Sequence, residues 1–355
     1  MFKAIERSCG EVIYIGPPSR LIKLVYYTLR LATRVIRAVL HKNYLYGHNP
    51  LFCRLLARFW EKRISKSHYD LIFAPIASCD IAFLRTNIPI IYLADATIYL
   101  LKDYYPAYSN VLGIKNAEKI DRMAIEKASA LIFSSQWAAN SAKIHHKANK
   151  TKIHVIPFGA NLEDIPPRDT VLQKKKNHTC RLLFLGKDWN RKGGDLALGT
   201  LRDLQKRGIA SELIISGCKP QIKLDENNVK VIGRVPRVDM LFSNVDFFIL
   251  PTKADCTPIV FCEANAFGIP VITSNTGGVS DVITNGQNGF TLPLEATSSD
   301  YADVITRIWA DQEAYISLCR TSRKAYEERL NWQSWGKKVK KVIRNIFPKS
   351  KTYCL

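Results

Sequence analysis

The stretch DFFILPTKADCTPIVFCEANAFGIPVITS, residues 246–274, contains two apolar runs, DFFILP and PVITS, with a helix-length segment between them. Short apolar runs that are bounded by Gly, Pro or Ser are typical of buried parallel strands. Thr257 is a good N-cap, Pro258 suits the first helical position, and Gly268 suits the residue after a helix end. The stretch therefore predicts a strand, a loop, a helix that begins near Thr257, and a second parallel strand.

The same alternation of strand and helix recurs along the chain. Seven further runs rich in β-branched residues alternate with helix-length segments: DLIFAP (70–75), PIIYLA (89–94), ALIFSS (130–135), IHVIPFG (153–159), RLLFLG (181–186), ELIISG (212–217) and VKVIG (229–233). A polar stretch with two prolines, residues 161–179, predicts a linker. We therefore expect two doubly wound α/β domains, residues 1–170 and 178–330. Because ligands of such folds lie beyond the carboxyl ends of the strands, we expect the site at a cleft between the domains.

Composition narrows the class of protein. The 355 residues are 47% hydrophobic, which is enough for substantial cores, and the net charge of +21 favours anionic partners. The nine cysteines show no C-x-x-C spacing, which favours reduced thiols in a cytosolic protein over disulfides or a zinc site. Charged residues near the start argue against a signal peptide, and no charge-free run reaches the roughly 18 residues of a spanning helix.

Two carboxylates, Asp255 and Glu263, stand just before and within the predicted helix of residues 246–274. With Glu263 about six residues inside the helix, they lie roughly 9 Å apart along its axis. This separation is too wide for two acids that share a proton, or for the roughly 5 Å pair of a retaining glycosidase. It fits two acids that bind separate hydroxyl-bearing parts of one ligand, with an anion at the helix N-terminus between them. A nucleoside diphosphate sugar has that arrangement.

A second loop supplies cations. FLGKDWNRKGGDLAL, residues 184–198, runs from a strand through Lys187, Arg191 and Lys192 into a helix. Basic side chains at such a turn neutralise a diphosphate, and glycines such as Gly186 allow the backbone to approach it. The spacing is not that of a P-loop.

Together these segments resemble a known family. GKDWNRKGG, DCTPIVFCEANAFGIPVITSNTGGVSDVI and NGQNGF are similar to the nucleotide-binding domain of the retaining GT-B glycosyltransferases of family 4, with their E-x7-E motif. YLADATIYLLKDYYP, EKASALIFSSQWAANSA and VIPFGANL resemble the acceptor-side elements of that family. The resemblance implies a GT-B fold of two Rossmann-like domains with a deep cleft, and a transfer of sugar with retained anomeric configuration.

The resemblance also implies roles for individual residues. Lys187, where the family usually has Arg, and Lys192 contact the pyrophosphate, while Glu263 holds the ribose. Asp255 replaces the usual Glu that contacts the transferred sugar. The implied nucleotide-sugar-binding set is Gly186, Lys187, Arg191, Lys192, Asp255, Cys256, Thr257 and Glu263. The family has Gly-Phe-Gly where this chain has Cys256, Thr257 and Pro258, and this departure bears on which sugar is bound.

Two further groups have open interpretations. Asp95, which follows the run PIIYLA, either orients the acceptor hydroxyl or the sugar as a catalytic residue, or caps the next turn. The turn at Gly277 and Gly278, with Asp281, matches a Gly-Gly-x-x-Glu turn of the family. We favour a structural role for this turn over contact with the donor.

The sequence makes one prediction for the start of the first domain and one for the helix that completes it. The opening residues look like the first helix and second strand (EVIYIGP, residues 11–17) of a GT-B domain, so the first strand and its glycine loop are expected to be missing. Residues 332–347 predict a terminal helix that joins the first domain, with Trp332 and Trp335 as anchors.

Residues 19–42 form a basic amphipathic segment. At 100° per residue the basic side chains fall within an arc of roughly 100°, and Leu21, Val25, Leu29, Ala32, Ile36 and Val39 occupy the other side. The segment is either a docking helix for an anionic membrane or a surface helix that packs on the sheet.

The sequence and this resemblance together imply a cytoplasmic glycosyltransferase that uses a nucleotide-sugar donor and a glycan or lipid-linked acceptor. Retention of configuration and a role in bacterial surface polysaccharide biosynthesis are what the resemblance implies. Neither a metal ion nor another cofactor is expected, and the membrane contact is peripheral. The alternatives are a nucleotide-sugar epimerase, a sugar phosphorylase, or an inactive nucleotide-sugar or polyanion-binding protein on the same scaffold. A nucleic-acid partner is not expected, because aromatic residues are not interleaved with the basic ones.

Overall fold

The computed structural model describes residues 1–16, 18–173, 176–220 and 227–347. The chain divides into two compact units. The N-terminal unit comprises Phe2–Ile156 together with the chain from Gly336 onward, and the C-terminal unit comprises Pro157–Trp335.

The strands of both units pair in parallel. Those of the N-terminal unit are β1 (Asn43–Tyr44), β2 (Ile72–Pro75), β3 (Ile90–Ala94), β4 (Val111–Leu112), β5 (Ala130–Phe133) and β6 (Ile153–Val155). The sheet order is β2-β3-β5-β6, and β1 pairs separately with β4. Those of the C-terminal unit are β7 (Cys180–Leu185), β8 (Ser211–Ser216), β9 (Val229–Ile232), β10 (Phe247–Leu250), β11 (Val271–Ser274) and β12 (Gly289–Leu292). Their order is β12-β11-β10-β7-β8-β9.

Helices alternate with these strands. The N-terminal unit contains α1 (Phe2–Cys9), α2 (Arg20–Leu40), α3 (Pro50–Ile64), α4 (Ser78–Ile81), α5 (Ile98–Tyr104), α6 (Ile114–Lys127) and α7 (Gln136–His145). The C-terminal unit contains α8 (Arg168–Leu172), α9 (Gly194–Lys206), α10 (Asp239–Phe242), α11 (Ile259–Ala266), α12 (Val279–Val282), α13 (Ser298–Ala310) and α14 (Gln312–Glu328). The last helix, α15 (Trp332–Ile346), begins in the C-terminal unit and continues into the N-terminal one.

The predicted doubly wound α/β class is confirmed. Each of the nine apolar runs forms a parallel strand. A strand that is covered on both faces needs apolar side chains on both, which explains the inner strands, whereas the edge strand β9 is largely exposed. The β10 and β11 side chains are all buried. The tenth large-sheet strand, β12, was not predicted, since its four residues begin with glycine and contain a polar threonine, and so do not form an apolar run.

The predicted strand at residues 11–17 is wrong for the described part, residues 11–16, which adopt irregular structure; Pro17 lies outside the described residues. These residues line a groove of about 1150 Å³, whose lining also includes Leu71 and the four residues of the edge strand β2. An extended segment becomes a strand only when a neighbouring strand takes up its backbone hydrogen bonds. The expectation of a missing first strand stays a prediction.

The boundary between the units differs from the predicted one. The division falls at Pro157 and not near residue 170, because the predicted linker packs on the C-terminal unit. Ala160 N–H donates to Leu330 O over 3.1 Å, Arg323 donates to Pro166 O over 3.0 Å, and Val171 is buried. Positions 174 and 175 of the predicted linker lie outside the described residues.

Three other observations bear on the class of protein. The eight cysteines in the described ranges are free thiols, and Cys354 lies outside them. Trp335 of the terminal helix is fully buried and Trp332 half-buried. Within the described ranges, every helix falls short of the length and apolar character needed to cross a membrane.

Candidate functional site

The order of strands in the C-terminal sheet creates a crevice between β7 and β10. From β7 the chain proceeds outward through β8 and β9 on one side, while β10, β11 and β12 continue on the other. The loops after β7 and β10 therefore leave the sheet in opposite directions, which is the switch point where ligands of open α/β sheets bind. The loop after β7 carries the predicted basic residues, and the loop after β10 carries the predicted first acid.

Lys192 and Asp255 meet at this switch point. Lys192 Nζ donates a short, charge-assisted hydrogen bond to Asp255 Oδ2, and both side chains are about seven-eighths buried. Gly186 makes the approach possible, since a Cβ at this position would lie 2.9 Å from Lys192 Cγ. The structure thus brings together three residues of the predicted site.

Two hydrogen bonds to backbone carbonyls hold the loop after β7 against the loop after β10. Arg191 Nη1 donates to Ala254 O over 2.7 Å, and Lys253 N–H donates to Arg191 O over 2.8 Å. Arg191 also lies 3.6 Å from Asp188 Oδ2, while Lys187 is exposed. The loop after β7 therefore carries one exposed cation, Lys187, and two partly buried cations, Arg191 and Lys192.

Trp189, which the sequence argument missed, anchors this loop. Its ring is 3% exposed and lies 5.4 Å from the ring of Phe184, and its Nε1 donates to Asp195 Oδ1 over 2.8 Å. The sequence did contain a signal for this anchor, which is a tryptophan between the basic residues of a predicted loop. A tryptophan usually buries its large apolar ring and finds a hydrogen-bond partner for its indole N–H.

Replacement of Gly193 by alanine is expected to destabilise the C-terminal unit. The backbone has φ +76° at this position, and a Cβ would lie 2.0 Å from Pro251 O. We expect a loss of about 3 kcal/mol or more in the free energy of unfolding, measured by urea denaturation. Gly208→Ala is the matched control, since its φ is +77° but no atom lies within 4 Å. It should cost only about 1–2 kcal/mol. Equal losses in both variants would contradict the proposed close packing of the two loops.

The start of α11 differs from the predicted one. The helix begins at Ile259 with Pro258 in the N-cap position, and Thr257 Oγ1 donates to Cys256 O over 2.7 Å instead of capping. The predicted cap at Thr257 is therefore wrong. Pro258 has ψ 84°, which is not a helical value, so the helix begins at Ile259, one residue later than predicted. The predicted stop at Gly268 is confirmed, with φ +63° and its N–H donating to Asn265 O over 2.9 Å.

Glu263 lies on the second turn of α11 and is half-buried. Asn161 N–H donates to Glu263 Oε1 over 3.3 Å, and Trp332 Nε1 donates to Asn161 Oδ1 over 2.8 Å. Burial raises the pKa of Glu263 to about 7, and the hydrogen bond from Asn161 lowers it by a smaller amount. The carboxyl group is thus poised between its two protonation states at neutral pH.

Asn161 and Trp332 were not among the predicted site residues. The sequence argument assigned VIPFGANL to the acceptor side, whereas Pro157–Leu162 belongs to the C-terminal unit. No local pattern marks a contact between residues 102 positions apart.

The glycine turn supports the loop that carries Asp255. Gly278 N–H donates to Asp255 O over 3.3 Å, and Thr276 Oγ1 donates to Lys253 O over the same distance. Arg329 Nη1 donates to the backbone carbonyl of Asp281. These contacts agree with the structural role favoured for this turn.

Asp95 lies in the N-terminal unit. It directly follows β3 and is half-buried. Thr97 is the N-cap of α5, with its hydroxyl accepting from Leu100 N–H, so Asp95 is not the helix cap.

The chain matches two family models. Residues 8–164 match the model described as Glycosyltransferase Family 4, and residues 179–311 match the one described as Glycosyl transferases group 1. The two ranges together span most of the chain.

Several curated proteins are similar in sequence. A glycosyltransferase of a Sulfolobus islandicus filamentous virus is 28% identical over 44% of this chain and 44% of its own length. D-inositol 3-phosphate glycosyltransferase of Paenarthrobacter aurescens is 23% identical over 62% of this chain and 58% of its own. The capsular polysaccharide biosynthesis glycosyltransferase CapM of Staphylococcus aureus is 20% identical over 65% of both. The chain therefore spans between 44% and 65% of the length of these three relatives.

Solved structures share the fold. Sucrose-phosphate synthase of Thermosynechococcus elongatus matches with a TM-score of 0.66 and 18% identity, over 84% of this chain and 78% of its own. Anabaena HepE in complex with UDP-glucose matches with a TM-score of 0.60 and 18% identity, over 84% of both chains. Two parallel Rossmann-like sheets, two family matches and these structural neighbours agree, and the chain belongs to the GT-B glycosyltransferases.

Proposed function

We propose that this chain transfers a sugar from a nucleoside diphosphate sugar to a hydroxyl group of a glycan or lipid-linked acceptor, with retention of the anomeric configuration. The observation that carries the proposal is the meeting of Lys192 and Asp255 at the switch point of the C-terminal sheet, with Glu263 on the helix that follows Asp255.

The proposed position of each part of the donor follows from the order of these groups in the site. The ribose hydroxyls donate to Glu263, because a carboxylate accepts two hydrogen bonds from a vicinal diol. The diphosphate lies at Lys187, Arg191 and Lys192, whose charges stabilise the leaving nucleoside diphosphate. The proposal therefore includes no metal ion. Asp255 contacts the transferred sugar, and the backbone at Cys256 and Thr257 borders it.

The chemical step needs no nucleophile from the protein. The bond between the anomeric carbon and the β-phosphate oxygen breaks, and the acceptor oxygen bonds to the same face of that carbon. The hydroxyl proton passes to the departing phosphate oxygen. Asp95 is proposed to orient the acceptor hydroxyl.

The relatives support the class of donor and acceptor. Solved neighbours hold UDP, UDP with glucose, and UDP-glucose, and a further one, TarM, is in complex with UDP and two saccharides. CapM supports a place in surface polysaccharide synthesis. We propose a cytoplasmic location at the inner face of the membrane, which the free thiols of the eight described cysteines favour.

A product assay tests the proposal. The protein is incubated with UDP-, GDP- or ADP-sugars and a lipid-linked saccharide, and the product is analysed by mass spectrometry and by NMR of the anomeric proton. We expect one donor to be used, with release of its nucleoside diphosphate and retained configuration. An inverted product, phosphate-dependent turnover, or epimerisation of the donor without acceptor would contradict it.

A further inference from the structure

Helix α2 presents aliphatic side chains to solvent. Five of them are between 58% and 70% exposed: Leu21, Leu24, Leu31, Val35 and Val39. Single exposed aliphatic residues are common on protein surfaces, whereas five on one helix form a patch that needs an explanation.

These five residues share one face of the helix. At 100° per residue they fall within an arc of about 80°. We call this face the apolar stripe. It runs nearly the full length of the 21-residue helix, which Ser19 caps at one end and His41, with φ +50°, ends at the other.

A different face holds α2 in place. Ile22 is 3% exposed, and Val25 and Leu29 pack with it against Phe52 and Leu56 of α3. This packed face centres about 110° away from the apolar stripe around the helix. The stripe is therefore dispensable for docking α2 on its own unit.

The flank of the stripe is strongly basic. Lys23, Arg30, Arg34 and Arg37 lie within an arc of about 60° on the side of the stripe opposite the packed face. The sequence from residue 12 to residue 60 contains eight Lys or Arg residues and no Asp or Glu. A partner that covers the stripe must therefore accept positive charge beside an apolar face.

We propose that the apolar stripe and its basic flank form a docking surface for an anionic lipid bilayer. The helix lies in the plane of the membrane, with the stripe among the acyl chains and the arginines at the phosphates, to which their long side chains extend. A nucleic acid offers the negative charge but no apolar surface for the aliphatic side chains. This inference names the surface behind the membrane contact included in the proposed function, and it does not depend on transfer activity.

Vesicle flotation tests the docking surface. Full-length protein without nucleotide is mixed with vesicles of phosphatidylcholine alone, or of phosphatidylcholine with phosphatidylglycerol. We expect flotation only with the anionic vesicles, weakened by salt. The variant L24S/L31S/V35S should float at least about tenfold less. The control I144S/M240S/L294S changes three exposed apolar residues elsewhere and should float like the wild type.

A second pair of variants separates charge from apolar contact. R30Q/R34Q removes two positive charges from the flank, and K115Q/K150Q removes two exposed charges elsewhere. Only the first should weaken flotation. Far-UV circular dichroism, and calorimetric binding of whichever of UDP, GDP and ADP the wild type binds, are measured on every variant and check folding and the nucleotide site independently.

Three results would overturn the docking proposal. They are wild-type protein that does not float, an L24S/L31S/V35S variant that floats normally, and stripe variants that only convert an oligomer to a monomer in sedimentation. Absence of UDP, GDP and ADP binding with normal flotation would count against the proposed function and leave the docking surface in place.

Discussion

Replacement of Lys192 by methionine is expected to lower kcat/KM for transfer by about 10²–10³-fold. Lys192 carries a buried positive charge at the switch point and holds Asp255 through a short hydrogen bond. Methionine preserves most of the side-chain length but removes the ammonium group that stabilises the leaving diphosphate. The measurement is the initial rate of nucleoside diphosphate release with the donor identified by the product assay.

Lys206 offers a matched control for this variant. It lies on α9, which follows the same loop, and its side chain is 76% exposed. Lys206→Met should leave kcat/KM within about threefold of wild type. Because Lys192 and Asp255 act as a unit, the double variant K192M/D255N should lose much less than the product of the two single losses. Normal transfer by Lys192→Met would contradict the assignment of the diphosphate site.

The affinity for the donor is expected to rise with pH through the titration of Glu263. Burial raises the pKa of this carboxyl to about 7, so in the folded protein without ligand the protonated form predominates below pH 7. The stability that this proton contributes is present at low pH and is lost as the pH rises through 7. A ribose diol donates hydrogen bonds and prefers the ionised carboxylate. Affinity should therefore increase about tenfold between pH 6 and pH 8.

The choice of ligand makes this measurement specific. A nucleoside diphosphate sugar has no free phosphate group that titrates in this range, whereas a terminal phosphate has a pKa of about 6. Calorimetry with the intact donor is therefore compared between wild type and Glu263→Gln. The glutamine variant should bind more weakly at pH 8 and show a flat pH profile. An equal pH dependence in both proteins would assign the titration to another group.

The sequence predicted the strands well and the helix boundaries less well. Runs such as DFFILP are short, apolar on both faces and bounded by Gly, Pro or Ser, and this pattern is typical of a buried parallel strand. The predicted start of α11 was one residue too early because Thr257 has the right residue type for a cap, but its hydroxyl donates to Cys256 O. Residue type indicates the possible partners of a side chain, and the surrounding loop decides among them.

The contacts within the site depended on tertiary structure. Lys192 and Asp255 were both predicted as site residues, but their hydrogen bond follows from β10 lying next to β7, which no local pattern specifies. The same holds for the contact between Asn161 and Glu263.

Helix α2 shows a similar limit. The sequence separates its basic side from its apolar residues, and it grouped Leu21 and Val39 with Val25 and Leu29. In the structure Val25 and Leu29 pack on α3, whereas Leu21 and Val39 are exposed. The direction from which a neighbouring helix packs decides this division.

Calorimetric titration with UDP, GDP and ADP tests the central claim most directly, because it asks whether the C-terminal unit holds a nucleoside diphosphate at the predicted residues. We expect one of the three to bind selectively, with binding strongly reduced in both Lys192→Ala and Glu263→Ala and unchanged in Lys206→Ala. Failure of all three nucleotides to bind to folded protein, or equal binding by wild type and both site variants, would contradict the account.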